Sequence, residues 1–127
     1  MTTQILVVED TPANMKLVSM LLGNSGYRVL QADNANDGIA LAREHLPDLI
    51  LMDIQLPGMD GLTATRLLKE DAATCHIKIV ALTAFAMKGD EDRMIAAGCD
   101  GYIAKPIRYK KFLEEIERIL ASAPPST

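Results

Sequence analysis

Five residues of this 127-residue chain carry groups suited to phosphoryl chemistry, and all of them directly follow short apolar runs. Glu9 and Asp10 come after Ile5-Leu6-Val7-Val8, and Asp53 after Leu49-Ile50-Leu51-Met52. Thr83 ends Ile77-Lys78-Ile79-Val80-Ala81-Leu82, and Lys105 ends Tyr102-Ile103-Ala104. Three acids drawn into one small volume repel: near 4 Å, at an effective dielectric of about 20, each pair costs about 4 kcal/mol. A proton or a cation must compensate. An all-oxygen ligand set favours a hard divalent ion, and Mg²⁺ commonly takes one or two carboxylates together with waters and phosphate oxygens. With a hydroxyl from Thr83 and an ammonium from Lys105 the set suits a phosphoryl group. The cations neutralise its oxygens, and a carboxylate attacks phosphorus in line.

These residues can meet only if the elements between them bring them to one edge. The apolar runs show little polar alternation, which marks strands covered on both faces, as in a parallel sheet. Helix-length stretches separate them. Residues about 12–23 carry Met15, Val18, Leu21 and Leu22 on one stripe, and Thr11-Pro12 opens the helix. Residues about 109–121 carry Phe112, Leu113, Ile116, Ile119 and Leu120 on one side. Segments near 36–45, 61–70 and 87–97 complete the set, with turns at Gly26, Pro47-Asp48, Pro57-Gly58 and Gly98. The reading is an α/β fold, a (βα)₅ doubly wound parallel five-stranded sheet with helices on both faces. In such sheets ligands sit beyond the carboxyl ends of the strands.

Composition narrows the function. Hydrophobic residues make up 49% and charged residues 24%, a globular balance. No apolar run approaches the length of a membrane span, and Met1-Thr2-Thr3-Gln4 has no basic leader, so a cytoplasmic protein is expected. A net charge of −4 disfavours nucleic acid. The basic cluster Arg108, Lys110 and Lys111 reads as a solvated helix start or a patch facing an acidic partner. Cys75 and Cys99 read as free reduced thiols, and His45 and His76 as surface or helix-end residues. Phosphate-binding loops, dinucleotide fingerprints and nucleophile elbows are absent. Gln55 stands where an Asp-x-Asp phosphatase would carry its second acid.

With these residues in view, the sequence closely resembles the receiver domain of bacterial two-component response regulators over about residues 4 to 121. The matching stretches are Ile5 to Asp10, Pro47 to Gly61, Ile79 to Ala84 and Gly98 to Pro106. The resemblance implies a flavodoxin-like strand order, 2-1-3-4-5, with Asp53 as the phosphoacceptor. It implies Mg²⁺ (or Mn²⁺) held by Asp10, Asp53 and the backbone carbonyl of Gln55, with Glu9 acting through water. Lys105 matches the lysine that pairs with the phosphoryl group. Thr83 and Tyr102 match the hydroxyl and aromatic pair whose coupled movement reports phosphorylation. A cis peptide before Pro106 is implied as well.

The same resemblance implies a domain over residues 1–121 with a flexible tail at 122–127. Within the family the run from Ala81 to Glu91 is most like stand-alone single-domain regulators, and is also close to receivers of hybrid histidine kinases. The expected role is a phosphorelay step. Asp53 receives a phosphoryl group from a sensor histidine kinase or a His-phosphotransfer protein, and a downstream protein is contacted through the face of the fourth helix, fifth strand and fifth helix. Candidates on that face are Phe85, Met87, Met94 and Tyr102. The protein is expected to be a monomer that catalyses only its own phosphorylation and dephosphorylation. The alternatives are a metal-dependent phosphatase or phosphotransferase acting on small molecules, for which a cap segment would be expected, or a receiver cut from a hybrid kinase. Every connection between elements is short, and length favours a complete chain.

Overall fold

A computed structural model describes residues 2–84 and 88–121, with only the backbone of Lys88. Its elements run β1 (Gln4–Val8), α1 (Pro12–Asn24), β2 (Arg28–Ala32), α2 (Ala35–His45), β3 (Leu49–Asp53), α3 (Gly61–Glu70), β4 (Lys78–Thr83), α4 (Lys88–Ala97), β5 (Gly101–Ala104) and α5 (Tyr109–Ala121). The five strands form one sheet in the order β2-β1-β3-β4-β5, and each neighbouring pair is parallel. The expected tail at 122–127, together with Phe85 and Met87, lies outside the described residues.

The apolar runs read as doubly covered strands because successive side chains point to opposite faces. Leu6, Val8, Ile50, Met52 and Ile79 pack with Ile39 of α2 and Leu68 of α3. Their strand neighbours Ile5, Val7, Leu49, Leu51, Val80 and Leu82 pack with Val18 and Leu22 of α1 and with Phe112, Ile116 and Ile119 of α5. Each such side chain contributes about 1.5–3 kcal/mol by leaving water. Central β3 is buried at all five positions, whereas edge strand β2 is exposed at Arg28 and Gln31.

Local chemistry sets the helix starts. Asn34 accepts from the Asp37 N–H at 2.8 Å and Asp60 from the Thr63 N–H at 2.8 Å, so both side chains satisfy donors that their helices leave open. Thr11 caps α1 without a side-chain bond, and Pro12 follows it. Gly61 opens α3 where a Cβ would lie 2.1 Å from the Asp53 carbonyl oxygen. Only glycine permits that approach.

The amino ends of the strands are tied by a polar latch. Lys69 Nζ donates to the Ile77 carbonyl at 2.8 Å and to Asp100 Oδ2 at 3.0 Å, and that carboxylate oxygen also accepts the Ile79 N–H at 2.8 Å.

One expectation fails here. Met94, read as a candidate on the partner-binding face, is 1% exposed and packs with Leu62, Ala81 and Ala97. On α4 Met94 and Ala97, three apart, take the inner stripe, while the neighbouring Ile95 points outward at 70% exposure. Among the described residues no helix is long and apolar enough to cross a membrane.

Candidate functional site

The carboxyl ends of β1, β3, β4 and β5 gather the five residues singled out above. Glu9 is 1% exposed, Asp53 2% and Thr83 3%, while Asp10 faces solvent. Glu9, Asp10 and Asp53 each bring a carboxylate oxygen within 4.8 Å of the others. Lys105 Nζ lies 3.0 Å from Asp53 Oδ2 and 3.2 Å from Glu9 Oε2, bridging the two buried acids. Its backbone N–H donates to the Thr83 carbonyl at 2.7 Å, which ties the end of β5 to β4. The Lys105–Pro106 peptide is cis.

Backbone donors finish the buried acids. Asp53 Oδ1 accepts the Gln55 N–H at 2.9 Å, so the main chain of residue 55 lies against the carboxylate. Glu9 Oε1 accepts the Thr11 N–H at 3.2 Å and faces the Asn14 Nδ2 at 3.4 Å. Asn14 was not singled out as a functional residue from the sequence. Its signal was available: a side-chain amide in the first turn of a helix can reach back past the cap, here to Glu9 two residues before Thr11.

Proximity separates the acids electrostatically. Burial, reinforced by the neighbouring Glu9, pushes the Asp53 carboxyl up to about 6 from 3.8, against the pull of the Gln55 N–H and Lys105. Glu9 goes the other way. Burial alone would raise it, but Asp53, Lys105 and the Thr11 N–H together hold it below its ordinary value. Burial would lower Lys105, yet the two carboxylates hold its ammonium above its usual range.

Among the described residues the Lys105 ammonium bridges Glu9 and Asp53, and a third carboxylate, Asp10, lies beside them open to water. This all-oxygen set with surplus negative charge fits a hard divalent cation such as Mg²⁺. Tyr102 lies outside the cluster, 37% exposed on the outer side of β5, where its hydroxyl donates to Glu91 of α4. Glu91 was not among the residues the sequence singled out.

The geometry agrees with three comparisons. The model of the response regulator receiver domain matches residues 5–117. The polar-differentiation response regulators DivK of Brucella ovis and Brucella melitensis are each 49% identical over 123 residues, covering 97% of this chain and all of theirs. A response regulator from Chloroflexus aurantiacus superposes with a TM-score of 0.91 at 26% identity, over 96% of this chain and all of that one. The receiver domain of the Pseudomonas aeruginosa sensor histidine kinase PA1611, solved with a magnesium ion in its active-site cleft, superposes at 0.88 with 34% identity over the same shares. A fold-wide match and a lysine bridging two buried acids lead to one assignment: this chain belongs to the response regulator receiver domain family.

Proposed function

We propose that Asp53 is the phosphoacceptor and that its phosphorylation switches a protein-binding face. The observation that carries this reading is the convergence of Glu9, Asp10 and Asp53 with Lys105 between the two buried acids. An Asp53 carboxylate oxygen attacks the phosphorus of a phosphohistidine. The P–N bond breaks, its electron pair leaves with the imidazole, and an acyl phosphate remains on Asp53. Lys105 is already beside the nucleophile, where its charge offsets that of the incoming oxygens.

Asp10, Asp53 and the Gln55 carbonyl would hold Mg²⁺, with Glu9 acting through water, and Mn²⁺ would suit the same oxygen donors. Bound there, the ion supplies positive charge to the phosphoryl oxygens. The added charge on Asp53 draws the Thr83 hydroxyl toward it, and Tyr102 turns inward into the space released. The altered face is that of α4, β5 and α5. Tyr102 belongs to it, and the other sequence candidates, Phe85 and Met87, lie outside the described residues. Partners are a sensor histidine kinase or His-phosphotransfer protein upstream and a protein target downstream. The domain works in the cytoplasm over residues 1–121 with residues 122–127 as a tail, modifying only itself.

The test is intact mass after incubation with acetyl phosphate and Mg²⁺. A single labile phosphoryl adduct is expected, prevented by EDTA and lost in Asp53→Asn. Sustained turnover of unrelated phosphate esters without an adduct would instead mark a small-molecule phosphatase.

A further inference from the structure

Tyr102 carries an attachment that the phosphorylation chemistry does not use. Its ring lies on the outer face of β5, above a groove of about 590 Å³ lined by Pro106, Arg108, Lys111 and Phe112. The Tyr102 hydroxyl donates to Glu91 Oε1, one turn into α4. Two carboxylates act on that hydroxyl, those of Glu91 and Glu115. Glu115 is engaged by Arg118 of its own helix, which leaves Glu91 as the acceptor that holds the ring. Glu91 and the exposed Ile95, four residues on, share the outer side of α4.

We propose that Glu91 is a positioning residue that holds Tyr102 outward in the unphosphorylated domain and so opposes switching. The inference rests on the proposed coupling of Thr83 to Tyr102. A ligand can shift a two-state equilibrium only through its differential affinity for the two states. A bond made only in the outward state lowers the fraction ready to respond, and with it the apparent affinity for whatever favours the inward state. Glu91 also sits near the amino end of α4, where a negative charge favours the helix dipole. A role limited to the dipole would depend on the charge and be indifferent to Tyr102.

The experiment follows the Tyr102 ring signals by NMR while Mg²⁺ and beryllofluoride, a phosphoryl mimic, are titrated into the full chain. In the parent the ring signals are expected to move on binding. Glu91→Ala should shift them part-way before any mimic is added and tighten apparent beryllofluoride binding about threefold, the scale of an exposed hydrogen bond to a charged group. Glu91→Gln, which keeps an oxygen acceptor but no charge, should stay nearer the parent. In a Tyr102→Phe background, Glu91→Ala should add nothing. If the parent ring responds but Glu91→Ala behaves like the parent, the latch is wrong and the switch stands. Equal effects of Ala and Gln, or an effect that survives in Tyr102→Phe, would assign Glu91 to the helix dipole and also overturn it. A parent ring that ignores the mimic removes the switch and the latch together.

Discussion

The two ends of the sheet use the same pair of groups to opposite effect. At the amino ends Lys69 meets Asp100 at 3.0 Å, and at the carboxyl ends Lys105 meets Asp53 at 3.0 Å. Around Lys69 the charges match one to one, and the remaining donors go to the carbonyls of Ile77 and Cys75. Around Lys105 a single cation serves Glu9 and Asp53, with the Asp10 carboxylate close by. Separation does not distinguish the pairs; surplus charge does. A balanced latch is complete as it stands, whereas an unbalanced one has negative charge and acceptor capacity left for a ligand.

Removing the two lysines should therefore give different losses. Lys105→Met is expected to slow phosphorylation from acetyl phosphate about 100-fold, since it deletes a charged donor from the reacting centre. A rate within a factor of a few of the parent would mean the ammonium is not used in the chemistry. Lys69→Met should leave that rate intact and lower stability by about 2 kcal/mol in urea melts, through the loss of a charged hydrogen-bonding network. If instead Lys69→Met slowed phosphorylation without destabilising the fold, the contrast between the two ends would collapse.

Protons give a finer test. The folded Asp53 value, about 6, lies above its ordinary 3.8, so between those values the native state binds more protons than the unfolded chain. Stability from this group is complete below about pH 4 and is lost as pH rises through about 6. In metal-free buffer Asp53→Asn should match the parent near pH 4 and exceed it by about 3 kcal/mol at pH 8. Lys69 and Asp100, whose charges are matched, provide the control: Asp100→Asn should lower stability, since it removes the charge partner of Lys69 and weakens the acceptor of the Ile79 N–H.

The carboxyl end was legible in the sequence because each of its residues stops an apolar run. Glu9, Asp53 and Lys105 stand at strand ends, and parallel topology brings strand ends together. The amino end was not. Asp100 lies between Gly98 and Gly101 and reads as turn chemistry, and its partner is 31 positions away on a helix whose docking the sequence does not state. Met94 was misjudged because α4 has a weak apolar pattern, so its inner stripe was set by packing on Leu62 and Ala81. Glu91 acts through a contact to a side chain on another element, and no spacing rule marks such a contact.

Gly61 adds a constraint that the acids alone do not convey. With its missing Cβ pointed 2.1 Å from the carbonyl oxygen of residue 53, the first turn of α3 is seated directly against the main chain that carries the buried Asp53 carboxyl. Even a methyl group there would shove the Asp53 carboxyl out of register with Glu9 and Lys105. In a saturation screen for loss of signalling, position 61 would score beside the acids themselves. It offers neither charge nor ligand, and it matters because nothing is there.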